Sequence, residues 1–313
     1  MSRVQELLAG ARAGRIADIA RLVSIVENEE AEAADVVRAT YAHAGHAMLV
    51  GFTGPPGTGK STLVAALTAA YRKTGARVAV VAVDPSSPYT GGAILGDRIR
   101  MRDLYLDAGV FIRSMANRGN SGGLARATRR VVSLLDALGF DVVLVETVGV
   151  GQQEIDVVRV VDTVCLLTIP GAGDDIQAIK AGIMEIADVL VVNKADRPGA
   201  DQAVRDLTHM LSLGTPRLDW RPPVIKTSAM DGKGIEELME AIKKHRAWAA
   251  DSGEAHKRNV DAMRSEVQTL LREKVLRDLA DRLSLQSVDE VVLRVVDKTL
   301  DPYAAVDELL RHE

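Results

Sequence analysis

The sequence predicts an α/β fold in which a mostly parallel sheet is flanked by helices, with helical extensions at the N- and C-terminal ends. Three observations carry that expectation. Between His46 and Thr227 short β-branched runs alternate with longer stretches of helical periodicity. Most of the runs are nearly uninterrupted Val, Ile and Leu, the pattern of strands buried on both faces. Strands that alternate with helices imply right-handed crossovers, and therefore parallel neighbours.

The elements follow in order. Residues 1–45 read as a helical extension, in which Ile16, Ile19, Leu22, Val23 and Val26 form one apolar stripe. A central domain over 46–250 contains seven strand-like runs: Ala47–Phe52, Val78–Asp84, Val110–Arg113, Asp141–Glu146, Thr163–Thr168, Val189–Asn193 and Val224–Thr227. Ser61–Thr74, Leu124–Leu138 and Asp175–Ile186 have helical spacing and length. The C-terminal region, 251–313, is highly charged yet carries the apolar series Val260, Met263, Val267, Leu270, Leu271, Leu276, Leu279 and Leu283. A long charged helix with one apolar stripe needs a surface to pack on, either the chain's own core or a partner subunit.

Composition closes off several functions. Lys and Arg total 39 against 43 Asp and Glu, a net charge of -4, so no global basic field draws the chain to nucleic acid. Aromatic residues make up 3%, too few for platforms that stack single-stranded bases. The single cysteine, Cys165, permits no internal disulfide and no zinc site built from cysteines, and fits a reducing, cytoplasmic setting. Cys165 itself sits in an apolar strand-like run and reads as a buried small residue. The N-terminus mixes charged and apolar residues and has no export signal, and the charge-free stretch 39–59 is too rich in Gly and Pro for a membrane span. The six histidines show no metal-ligand spacing.

In a parallel sheet ligands bind beyond the carboxyl ends of the strands, so the loops there hold the chemistry. The first such loop, Gly54-Pro55-Pro56-Gly57-Thr58-Gly59-Lys60-Ser61, is a full G-x-x-x-x-G-K-[ST] phosphate-binding loop. Its glycines let backbone N–H groups curl around phosphates, Lys60 is placed for the β- and γ-phosphates, and the Ser61 hydroxyl for Mg²⁺. Thr62 continues the first turn of the helix, whose dipole adds positive potential. The expected fold is thereby a P-loop NTPase.

The base is read next. Asn193-Lys194-Ala195-Asp196 follows the sixth run, and Thr227-Ser228-Ala229-Met230 the seventh. A carboxylate at Asp196 accepts from guanine's ring N–H and exocyclic amine, two donors that adenine does not present together. The wrong base leaves that carboxylate unpaired, which predicts GTP, and its product GDP, as the ligand. Asn193, Lys194, Asp196, Ser228, Ala229 and Met230 therefore complete the nucleotide set.

For the metal, GTPases usually place Asp-x-x-Gly after a middle strand, and here that position reads Glu146-Thr147-Val148-Gly149. Glutamate is one methylene longer, which suits contact through a metal-bound water. Asp84 and Asp97 also end or follow strand-like runs; each is a candidate Mg²⁺ ligand, with an ion pair or helix cap as the competing reading. The metal set is thus Ser61, Asp84, Asp97 and Glu146, and the catalytic set Lys60, Glu146 and Asp97. Many GTPases orient water with a glutamine directly after the Gly; here Val150 stands there, with Gln152 and Gln153 displaced. Slow intrinsic hydrolysis that depends on a partner or a rearranged loop is the expectation. Gly171 and Gly173 could hinge the segment 170–180, in which Asp174 and Asp175 read equally well as helix caps.

Taken together, Gly51-Phe52-Thr53-Gly54-Pro55-Pro56-Gly57, Asp84-Pro85-Ser86-Ser87-Pro88, the stretch from Gly91 to Arg98, Glu146 to Gln152 and Asn193 to Asp196 strongly resemble the MeaB family. These are methylmalonyl-CoA mutase-associated GTPases, also called ArgK after an older kinase proposal. The resemblance covers essentially the whole chain. It implies a G-protein chaperone that gates cofactor loading and protects an adenosylcobalamin-dependent methylmalonyl-CoA mutase. It also implies a homodimer formed by the helical ends, a family Glu at 146, and a switch over 170–180 with Gln177 and Lys180 as coupling candidates. Cobalamin would belong to the mutase. A metallochaperone GTPase would need a His- or Cys-rich tract, and a protein kinase an acceptor base near the phosphate; neither is evident in the sequence.

Overall fold

The structure, a computed structural model, describes residues 2–85, 102–117, 123–147, 160–171, 186–213, 220–282 and 285–311. The chain divides into two compact units, Met1–Arg258 and Asn259–Glu313. In the first, seven strands form one sheet: β1 (Met48–Thr53), β2 (Val78–Pro85), β3 (Val110–Asn117), β4 (Val142–Thr147), β5 (Thr163–Thr168), β6 (Val189–Val192) and β7 (Val224–Lys226). Their order is β3-β2-β4-β1-β5-β6-β7, and every pairing is parallel. All seven runs expected from the sequence are strands, with ends that differ by a few residues. β4 and β5 are buried at every position, as uninterrupted apolar runs require.

Helices cover both faces. On one face lie α1 (Arg3–Arg12), α2 (Ile16–Glu27), α3 (Ala33–Thr40) and α5 (Gly123–Ala137). The α2 stripe buries Ile19, Leu22, Val23 and Val26 against Val81, Val83, Val143 and Val145 of the sheet, although Ile16 at its start remains exposed. Arg113 of β3 pairs with Glu27 of α2, and Asp136 of α5 accepts N–H bonds from His46 (3.1 Å) and Ala47 (2.9 Å) at the entrance to β1. The N-terminal helices therefore share the core of the sheet. Farther along this face α6 (Ala200–Leu213) packs Ala203 and Leu207 on Leu166, Leu190 and Val192.

The opposite face carries α4 (Lys60–Lys73) and α7 (Ile235–Asp251). Leu63, Val64 and Leu67 from α4 and Leu238 and Ile242 from α7 pack on Val50, Phe52, Leu144 and Cys165. Alternate residues of one strand serve the two layers, as with Val143 and Leu144. Cys165 is fully buried, and burial pushes its thiol well above its ordinary range.

The remaining helices are α8 (Glu254–Arg282), α9 (Leu285–Val296) and α10 (Pro302–Arg311). Along α8, Val260, Val267, Leu270, Leu271, Val275 and Leu276 are exposed. Among the described residues no helix is long and apolar enough to cross a membrane.

Candidate functional site

The carboxyl ends of β1, β4, β6 and β7 bring the predicted residues into one neighbourhood. Leaving β1, the chain turns through Gly54 at φ +138°, where an added Cβ would stand 2.3 Å from the backbone oxygen of Leu167. No side chain fits there. Gly57 and Gly59 also have positive φ, +80° and +89°. At Gly59 a Cβ would meet Asn193 Nδ2 at 2.6 Å, whereas at Gly57 it would meet open space. The loop is thus closely packed behind and uncovered at its tip.

Side chains brace this loop from within and from across the sheet. Lys60, in the first turn of α4, is buried and donates from Nζ to the carbonyl oxygens of Gly54 (2.7 Å) and Pro55 (3.2 Å). Thr58 Oγ1 donates to Pro55 O at 2.9 Å, and Thr62 is half-buried in the first turn of α4. From the end of β6, Asn193 Nδ2 donates to Thr58 O (2.8 Å) and Lys194 Nζ to Gly57 O (2.7 Å). Lys194 adopts a left-handed φ of +56°, unusual for a residue with a Cβ.

The base-reading residues stand beside it. Asn193 Oδ1 accepts from Thr227 Oγ1 at 3.1 Å and from the Ala229 N–H at 3.4 Å, tying the ends of β6 and β7 together. Ser228 Oγ lies 2.9 Å from Asp196 Oδ1 and 2.8 Å from Asp231 Oδ2. Its backbone pairs with Lys233 in an isolated bridge, and the hairpin ends at Gly234, φ +74°, where a Cβ would come within 2.0 Å of Lys226 O. Asp196 is exposed, Ala229 half-buried, and Met230 stands in solvent. Asp231, the second carboxylate on Ser228, escaped the sequence reading, because only the hairpin geometry brings it to that hydroxyl.

On the metal side, Glu146 at the end of β4 is buried, and its Oε1 accepts from Ser61 Oγ at 2.7 Å. The next residue, Thr147, donates from Oγ1 to Phe52 O at 3.2 Å and fixes the strand end against β1. A hydroxyl and a carboxylate in direct contact form an oxygen-only donor pair, the chemistry that a hard divalent cation takes. Asp84 lies near the end of β2, paired in register with Ala116 of β3. Asp97, Gly149, Val150, Gln152, Gln153, Gly173, Asp174, Asp175, Gln177 and Lys180 lie outside the described residues. The helix expected over 175–186 falls there too, apart from Ile186, which is in a turn. Gly171 is described, with φ +80°.

A glycine-lined loop between a buried strand and a helix N-terminus suits phosphate oxygens, and the Asp196 carboxylate suits paired N–H donors. Known proteins agree with that chemistry. A crystal structure described as a LAO/AO transport system kinase superposes with a TM-score of 0.73 at 29% identity, covering 99% of this chain and 97% of its own. A Pyrococcus horikoshii protein that carries a GTPase name is 47% identical over 313 residues, 99% of this chain and 98% of the relative. A mouse protein described as the methylmalonic aciduria type A homolog, mitochondrial, is 36% identical over 267 residues, 84% of this chain and 64% of its own. The profile of the family described as methylmalonyl Co-A mutase-associated GTPase MeaB matches residues 19–283. The chain is a P-loop GTPase that binds GTP and GDP, and it belongs to the MeaB family of methylmalonyl-CoA mutase-associated GTPases.

Proposed function

We propose that this GTPase is a chaperone for an adenosylcobalamin-dependent methylmalonyl-CoA mutase, gating the loading of the mutase's cofactor and protecting it from inactivation. The observation that carries the proposal is the family match over 19–283, which spans the phosphate loop, Glu146 and Asn193–Asp196. In this reading Gly54, Pro55, Pro56, Gly57, Thr58, Gly59 and Thr62 form the phosphate cradle. Lys60 exchanges its contacts with loop carbonyls for phosphate oxygens. Asn193 and Lys194 brace the loop, Asp196 reads guanine, and Ser228, Ala229 and Met230 border the base.

Ser61 and Glu146 would hold Mg²⁺, with Asp84 and Asp97 as further candidates. The cation would neutralise charge on the phosphates. Lys60 and the α4 dipole stabilise negative charge that accumulates on the γ-phosphate oxygens. Because Val150 takes the place of a water-orienting glutamine, intrinsic hydrolysis is slow and accelerates on the mutase. The 170–180 segment acts as the switch that reports nucleotide state. The chain works in the cytoplasm as a homodimer through its C-terminal helices, an assignment supported by the exposed stripe on α8.

A mutase assay tests the proposal. Methylmalonyl-CoA mutase from the same organism, turning over with this protein and GTP, should lose activity more slowly than with the Lys60→Ala variant. Equal inactivation rates would overturn the assignment. The kinase described for the similar crystal structure makes a distinct prediction: with γ-labelled GTP, stable label on protein rather than free phosphate supports a kinase.

A further inference from the structure

At the amino ends of the strands, away from the nucleotide loops, lies a cavity of about 580 Å³. Its walls are the end of α1, the short helical turn Tyr41–His43, the lead into β1, the turn after α5, and α7. The volume falls within the range of small-molecule sites, roughly 300–1,000 Å³. We infer that this cavity binds a phosphate-bearing small molecule through Arg12, Arg246, His43 and His46.

The argument rests on which charges are already engaged. Of the two carboxylates in the lining, Asp136 is buried and turned into the backbone, whereas Asp141 is exposed and has one oxygen on a backbone N–H. Asp136 takes the N–H groups of Gly45, His46 and Ala47, and Asp141 Oδ2 takes the Arg77 N–H at 2.7 Å. The cationic groups are not so engaged. Among the described residues Arg12, His43 and His46 make no side-chain hydrogen bond or ion pair, and all three are exposed to the cavity mouth. Among the described residues Arg246 donates from Nη2 alone, to the carbonyls of His46 (2.9 Å) and Ala47 (3.3 Å), which holds its guanidinium in place and leaves its other nitrogens without a partner there. Asp162, a carboxylate that also feels the charge of Arg246, is half-buried beside β1, where its Oδ2 accepts from the Leu49 N–H at 3.3 Å.

Two guanidinium forks and two imidazoles converge on one concavity, all of them donors when the imidazoles are protonated and the guanidiniums always so. A phosphate dianion offers three oxygens to such a set, and matches guanidinium bidentately.

The test uses the full chain saturated with GDP and Mg²⁺, so that the phosphate loop is filled. Histidine ring proton signals are followed while fructose 1,6-bisphosphate is added as a probe with two phosphates. Signals of His43 and His46 should shift saturably below about 10 mM while those of His209 and His256 stay fixed. Arg12→Ala should weaken that response roughly tenfold, the loss of about one charge-assisted contact, with GDP affinity unchanged. Arg12→Lys should fall between the two, and His43→Ala should weaken binding independently. No saturable shift, a shift undiminished by Arg12→Ala, a stronger response to citrate than to the bisphosphate, or a response to phosphatidylglycerol vesicles alone would each overturn the inference.

Discussion

Two aspartates at opposite ends of β6 show how one residue type serves two purposes. Asp196, beyond its carboxyl end, is exposed, and Ser228 is its hydrogen-bond partner. Its carboxylate is therefore accessible to a ligand's donors. Asp196→Asn should exchange the preference for guanine nucleotides for xanthine nucleotides, read as competition between GDP and XDP; unchanged GDP preference would remove Asp196 from the base site. Asp188, just before β6, is instead committed to structure. It accepts from the Val164 N–H (2.9 Å) and from both terminal nitrogens of Arg258 (3.1 and 3.0 Å), and it faces His245 Nε2 at 3.2 Å. His245 Nδ1 reaches Thr163 Oγ1 at 2.8 Å, and Trp220 and Trp248 pack around the ring. Burial by itself would raise the Asp188 carboxyl; His245 and Arg258 outweigh it and hold the group below its ordinary range. A carboxyl depressed in the folded state adds stability above the ordinary carboxylate range, and that stability is lost as pH falls through the depressed value. Arg258→Ala should cost roughly 2–4 kcal/mol at pH 7, toward the low side for a broken buried pair because His245 remains. Urea denaturation measures the cost, which should shrink in acid; a loss below about 0.5 kcal/mol would mean that the pair contributes no more than a surface bridge.

At the scale of elements, the loop after β1 separates two kinds of glycine that share a motif. Gly54 combines φ +138° with a backbone carbonyl 2.3 Å from the Cβ position, whereas Gly57 has φ +80° and open space. Gly57→Ala should cost about 1–2 kcal/mol from the left-handed backbone alone and should weaken GDP binding by intruding on the uncovered tip. Gly54→Ala must in addition displace β5, so it should lower the melting temperature substantially more. Equal melting temperatures for the two variants would refute the close packing of Gly54. The sequence motif marks both positions but cannot rank them, because the Leu167 carbonyl lies more than a hundred residues away. The strands were legible for a related reason: an uninterrupted apolar run has few homes other than the middle of a parallel sheet. The partnership of Asn193 with Thr58 and Thr227 was not legible, since hydrogen bonds between loop ends depend on strand order, and nothing in the local pattern of β1, β6 and β7 dictates that order.

On the scale of the whole molecule, two groups of amphipathic helices end differently. α2 shows an apolar stripe in sequence and buries Ile19, Leu22, Val23 and Val26 completely in the sheet's core. On α8, Val267, Leu271 and Val275 recur at every fourth residue along one face and remain between 56% and 63% exposed, and Leu276, on the other side of the helix, is 64% exposed. On α9 and α10, Leu293, Val296 and Tyr303 are exposed as well, at 62%, 68% and 87%. Apolar side chains left exposed in a row along a helix mark an interface on a protein in water. A second copy of the chain is the occupant that the family resemblance implies, since helices with an apolar stripe pair readily in self-complementary, two-fold interfaces. Replacing Val267 and Leu271 with Lys would place two charges in the middle of that row, where each would have to be desolvated without a partner. Sedimentation equilibrium should find the unaltered chain as a dimer and the double variant as a monomer. GDP affinity should be the same for both, because the phosphate loop and Asp196 belong to the other compact unit. An unaltered chain that sediments as a monomer at micromolar concentration would leave the stripe for the mutase to cover and would overturn the homodimer.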